Sequence, residues 1–120
     1  MSDKVLKILR RDELIVFQSA GVFSGSSDDR RDGFVHLSTL KQVPGTLARH
    51  FTSVDGVGEA GLSLASFVAD ELGDALRWEV SRDGDRFPHF YGDLQLDKVR
   101  NLVSVDVDSS GTHVIPDGVA

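Results

Sequence analysis

Cysteine is absent from the 120 residues, which removes disulfide frameworks, thiolate metal sites and cysteine nucleophiles together. The same absence suits a reducing compartment. No stretch approaches the ~18 uninterrupted apolar residues of a membrane helix. Met1-Ser2-Asp3-Lys4 holds no apolar run of the signal-peptide kind, so a cytoplasmic location and no membrane partner are expected. Basic charge is also short: 13 Lys and Arg against 19 Asp and Glu leave a net charge of -6. Non-specific nucleic-acid binders gain affinity by neutralising phosphates, so bulk nucleic acid is not an expected partner. Internal repeats and low-complexity tracts are missing too. So are a His-Glu-x-x-His spacing, a Gly-x-Ser-x-Gly elbow and a phosphate loop, and no metal is expected.

What remains is enough chain for one packed core without a staple. Val5-Leu6-Lys7-Ile8-Leu9 reads as a strand. Asp12 is placed to cap a helix over 13–20 that Gly21 stops, with Leu14 and Phe17 on its buried face and Ile15 and Val16 widening it. Residues 24–33 read as a polar loop with nothing to anchor a core. Phe34 to Ser38 forms a short strand, and a helix over 40–51 carries the stripe Leu40, Val43, Leu47, Phe51. Thr39 and Gln42 have capping-box spacing, while Pro44 kinks that helix or marks its start. Leu62 to Val68 and Asn101 to Val107 read as strands. Between them, 75–80 and 86–91 flank Asp83-Gly84, a two-residue hairpin signal. That turn pairs Trp78 with His89 and Val80 with Phe87, and puts Pro88 opposite Glu79, so this strand is an edge or breaks pairing there. Strands and helices in this order argue an α+β fold with two main helices. One domain is expected over 1–107, with 108–120 a loose tail or frayed hairpin.

Of four histidines, His50 suits a helix end and His113 a solvated tail. His36 and His89 each sit in a short apolar strand beside polar groups. Alternation brings Phe34, His36 and Ser38 to one face, and Thr39 then opens a helix. An imidazole and two hydroxyls there suit ribose and phosphate oxygens; alternatively, Ser38 and Thr39 only cap the helix and His36 is a satisfied core residue. Phe87, His89 and Tyr91 share a face that the two-residue turn gives Trp78 as well, an aromatic wall fit to stack a planar ring or simply to fill a core. The same alternation puts Glu79 with Arg77 and Ser81 on the opposite face from His89.

The motifs Gly33-Phe-Val-His-Leu-Ser-Thr39, Trp78-Glu79 and Phe87-Pro-His-Phe-Tyr-Gly92, in that order, resemble the bacterial family called domain of unknown function 952, from about Val5 to about Val107. The resemblance implies an ADP-ribosyltransferase-like mixed β fold. It further implies a nucleotide-like ligand, with NAD or an ADP-ribosylated or phosphorylated molecule as substrate. On that likeness His36 orients the ribose with help from Ser38 and Thr39, and His89 and Tyr91 line the reacting side. Trp78 belongs to the ligand wall, and the late position, a glutamate in such transferases, falls on Glu79 or on His89. A non-catalytic nucleotide-binding or interaction module is the alternative, since a shared fold does not supply a shared reaction.

Overall fold

A lysine in the middle of an apolar strand sets the problem this fold solves. Side chains alternate across a strand, so Leu6 and Ile8 of β1 (Lys4–Leu9) point one way and Val5, Lys7 and Leu9 the other. Both sets are buried. The computed structural model describes residues 3–119. β1 pairs antiparallel with β4 (Leu62–Val68), and β4 in turn pairs with β8 (Asn101–Val107). One face of this sheet packs Val5, Leu9 and Phe67 against Phe17, Phe90 and Leu94. The other packs Leu6, Ile8, Leu62 and Leu64 against Val43, Leu47 and Val119. The two cores are therefore the two faces of one sheet. Because β4 is buried on both faces, it reads as a near-continuous apolar run with only weak alternation.

Four α-helices occur among the described residues, two of them short: α1 (Arg11–Ala20), α2 (Ser27–Asp32), α3 (Val43–His50) and α4 (Ala69–Leu72). α1 begins ahead of the expected cap at Asp12, because Glu13 already accepts from the Arg10 backbone N–H at 2.8 Å. It stops at Gly21, whose φ of 77° is left-handed. Phe17 is its buried residue, whereas Ile15 and Val16 are exposed rather than part of a wide apolar side. The Thr39–Gln42 box forms in both directions, at 3.0 and 3.2 Å, and α3 starts at Val43 with Pro44 in its first turn. No described helix is long and apolar enough to cross a membrane.

Two smaller antiparallel sheets complete the curled structure. β2 (Val22–Phe23) pairs with β7 (Leu94–Gln95). The other sheet has the order β3 (Val35–His36), β6 (Arg86–Phe90), β5 (Leu76–Val80). β3 then hands over to the first sheet: Leu37 donates to Pro88 O at 3.0 Å, while Leu6 and Ser38 exchange backbone bonds at 2.7 and 2.9 Å. Pro88 thus lies in a central strand, at the point where pairing with β3 ends.

Three expectations need correction. The β5–β6 turn is a three-residue loop, Arg82–Gly84, closed by the Ser81 N–H on Asp85 O at 2.8 Å. The register is one residue off the two-residue pairing: Trp78 faces Pro88, Glu79 faces Phe87 and Arg77 faces His89. Residues 27–32 are helix, not loop, and Asp29 within them is only 2% exposed. Of the two readings of the tail, the hairpin is the one present: β9 (His113–Val114) pairs with β8, Asn101 Nδ2 donates to Gly118 O at 2.7 Å, and Val119 is buried. Met1, Ser2 and Ala120, which fall in the expected domain and tail, lie outside the described residues.

Candidate functional site

β3 and β6 bring His36 and His89 directly opposite each other, with ring centroids 5.7 Å apart and nearly perpendicular. Phe34, two residues before His36 on the same face, stacks on His89 at 4.0 Å and tilts against His36 at 4.6 Å. Val35 and Leu37 point the other way, into the core. The pair opens on a cleft of about 270 Å³ between β1, α2, β3, α3 and β6, whose lining includes His36, Ser38 and His89.

Each imidazole is held by acid. His36 Nδ1 lies 2.6 Å from Asp29 Oδ1, and its Nε2 lies 3.0 Å from Asp32 Oδ2. An ionised carboxylate only accepts, so a neutral imidazole can donate to one of these partners and an imidazolium to both. Asp29 is the anchor of the group. It also accepts from the His36 backbone N–H at 3.0 Å, from the Ser26 backbone N–H at 2.8 Å and from Lys7 Nζ at 2.9 Å. Burial alone would raise the Asp29 carboxyl, but the hydrogen bond from His36, the Lys7 ammonium and the two backbone donors outweigh it. They hold the carboxyl well below the usual carboxylate range. The buried lysine of β1 is thereby matched; it also donates to His36 O at 3.2 Å. Ser26 makes the helix that delivers Asp29, its hydroxyl accepting from the Asp29 N–H at 3.1 Å in a capping box. Asp32, on the same helix, is held down mainly by its hydrogen bond from Arg31.

His89 is built differently. Its Nδ1 lies 2.8 Å from Glu79 Oε1, and Tyr91 Oη donates to the same oxygen at 2.7 Å. These two bonds, Tyr91 first, lower the Glu79 carboxyl, and Glu79 in turn raises the Tyr91 phenol. The Arg77 guanidinium lies 4.8 Å over the Tyr91 ring. The one-residue register difference accounts for this cluster. Paired residues share a face, so the three-residue loop moves Glu79 beside His89 and sends Trp78 to the opposite face.

The expected site residues therefore divide. His36, Ser38 and His89 line one cleft, with the Ser38 hydroxyl 3.3 Å from that of Thr46. Tyr91 reaches the site through Glu79 and through Phe34, whose ring centroid lies 5.3 Å from its own, and is not part of the lining. Thr39 is spent on the α3 cap, and Trp78 is half-exposed on the other face, so neither lines the cleft. His50 lines the cleft instead of standing only at a helix end. His113 is not solvated: its Nε2 lies 2.9 Å from Glu59 O. Asp29, Lys7 and Asp32 were missed. The signal for Asp29 was present in Ser26-x-x-Asp29 followed by Gly33, a capping spacing with a helix stop. No group of three or more His, Asp or Glu side chains among the described residues is placed to hold a metal ion.

A family model described as protein of unknown function (DUF952) matches residues 8–102. No curated protein matches the chain. Among solved structures, the X-ray crystal structure of protein CC0527 from Caulobacter crescentus, a Northeast Structural Genomics Consortium target, is 38% identical, with 97% of each chain covered and a TM-score of 0.87. A crystal structure of a double mutant of that protein is 37% identical over 97% of each chain, also at 0.87. Its solution NMR structure is 38% identical, covers 91% of this chain and 90% of that one, and gives 0.77.

Proposed function

The chain belongs to the DUF952 family of proteins of unknown function, and we propose that it is a nucleotide-site protein whose cleft takes NAD, ADP-ribose or a related phosphorylated molecule and transfers part of it. The observation that carries this reading is the convergence of His36 and His89 on one cleft, each with a carboxylate on a ring nitrogen. Pairs of titratable groups in a concave site are the usual mark of proton-transfer chemistry. The reading includes an ADP-ribosyltransferase-like interpretation of the curled α+β fold. In that interpretation the strand histidine His36, followed by Ser38, faces the sugar, and His89, backed by Glu79, fills the late position that such transferases give to a glutamate. The cleft, about 270 Å³, lies near the lower end of the ~300–1,000 Å³ typical of small-molecule sites. That size suits one nucleoside-like moiety, with the rest of a dinucleotide lying along the rim. A net charge of -6 favours a small ligand over bulk nucleic acid.

One observation favours the second reading, a binding module without chemistry. Lys7, Arg10 and Arg31 around the cleft are already paired, with Asp29, Glu59 and Asp28 respectively. A pyrophosphate at these cations competes with the carboxylates already on them. A thermal-shift series with NAD, ADP-ribose, AMP and inorganic pyrophosphate tests the nucleotide reading, because a ligand of the native state alone stabilises it by about 2.7 kcal/mol at a hundredfold excess over Kd. A rise with NAD or ADP-ribose supports it. No rise with any of the four at millimolar concentration rejects it. Mass analysis of the incubated ligand then separates the transferase, which consumes it, from the module, which leaves it intact.

A further inference from the structure

The two histidines differ in what they leave available. His36 presents Nδ1 to Asp29 and Nε2 to Asp32, so both of its ring nitrogens face carboxylates. His89 presents only Nδ1, to Glu79. No described residue bonds its Nε2. The ring is otherwise enclosed, His89 being 5% exposed. His89 lines the cleft and Glu79 does not, which turns the open side of the ring toward the cavity. Phe34 stacked on the ring at 4.0 Å limits its rotation. Tyr91 donating to the same Glu79 oxygen that faces Nδ1 fixes the carboxylate in turn.

We infer that His89 Nε2 is the proton-accepting atom of the cleft, that Glu79 and Tyr91 are the positioning residues that hold it in that role, and that His36 is a fixed wall. The Glu79 carboxylate accepts and cannot donate, so Nδ1 carries the proton of the neutral ring and the Nε2 lone pair is left free. A hydroxyl of a bound ligand then gives its proton to Nε2: the O–H bond breaks, its electron pair stays on oxygen, and an N–H bond forms. The resulting imidazolium keeps its Nδ1–H on the Glu79 carboxylate, which stabilises the new charge. A sugar hydroxyl is the class of group this serves, and that part of the inference rests on the nucleotide reading above.

Long-range ¹H–¹⁵N correlation spectra of the full chain, ¹⁵N-labelled at histidine and recorded where imidazoles are neutral, test it. The His89 signals are assigned as those missing from His89→Gln. Free histidine prefers the Nε2–H tautomer. His89 is expected in the Nδ1–H form, moving largely to Nε2–H in Glu79→Ala and by a smaller fraction in Tyr91→Phe, with both variants keeping native amide dispersion. A wild-type His89 in the Nε2–H form overturns the inference, and so does a tautomer indifferent to both substitutions. Adding ADP-ribose to the wild-type sample separates this from the nucleotide reading. A displaced His89 Nε2 signal supports both, whereas an unmoved spectrum with the Nδ1–H tautomer intact counts against the nucleotide reading and leaves the His89 assignment standing.

Discussion

His36 and His89 face each other across one antiparallel pair, yet the ground beneath them differs. His36 stands on Asp29, which is 2% exposed and shares its charge with a lysine rooted in the central sheet. His89 is itself buried but leans on Glu79, which is 38% exposed in its side chain and held by a tyrosine at the surface. One side of the cleft is thus tied into the core, and the other hangs on a hairpin. Core ion pairs are costly to break, because the surviving partner keeps its desolvation penalty without compensation. Pairs near the surface cost little, because water replaces the lost partner. On the proposed assignment, a wall and a proton acceptor are made from the same residue type by what faces the second ring nitrogen: Asp32 at His36, and no described residue at His89.

The largest effect should come from the anchor. Asp29→Ala leaves Lys7 buried without its acid and frees the start of β3, and the expected loss is about 3–5 kcal/mol in urea unfolding; a loss under about 1 kcal/mol would erase the contrast between the two sides. The acid limb of stability should also depend on Asp29. Its carboxyl is depressed in the folded state, so the contribution is complete above the unfolded carboxylate value of about 3.9. It drains away as pH falls through the folded value. An Asp29→Asn variant is therefore expected to show a flatter loss between about pH 4 and pH 2 than the parent, read from urea midpoints across that range.

Next in size is His36→Ala, expected to cost about 1–3 kcal/mol because Asp29 loses one of its buried donors. Glu79→Ala should move the unfolding midpoint less than either of these, while the rise caused by ADP-ribose shrinks or disappears. The reverse order, Glu79 worse for stability than His36, would interchange the two roles. Smallest of all is Trp78→Phe, which sits on the far face and should leave the ligand-induced rise unchanged; a diminished rise would return Trp78 to the ligand wall.

Most of the framework was legible in the sequence. β1, β4, β8 and the Val43, Leu47 and Phe51 part of the α3 stripe follow from apolar periodicity, whereas Leu40 lies ahead of α3 and is exposed; Val35 and Leu37 fell on the core side as alternation demands. The site was legible only in part, for two physical reasons. Asp83 and Gly84 do adopt left-handed φ values, 57° and 78°, as their dipeptide signals. The loop nonetheless takes in Arg82 as well, and loop length rather than turn chemistry sets register. One residue of difference exchanged Glu79 for Trp78. Asp29 was hidden because polar side chains in a Gly- and Ser-rich stretch read as solvated. The clue lay in its partner: Lys7 sits on a strand whose neighbours are all apolar, and a lysine there requires an acid from elsewhere in the chain.

The hand-over of β3 from Pro88 to Leu6 has a consequence for the order of assembly. β5 and β6 join through a loop of three residues, so the side of the cleft formed by His89, with Glu79 and Tyr91 behind it, closes by a local, rapid event. His36 lies 53 residues from His89 in sequence and reaches it only once β1, β3 and β6 have met, a closure that is late on entropic grounds. In stopped-flow refolding the near-surface fluorescence of Trp78 on the hairpin should therefore settle before the chain gains any capacity to bind ligand, and the hand-over strand acts as the latch whose closing turns a folded hairpin into a cleft.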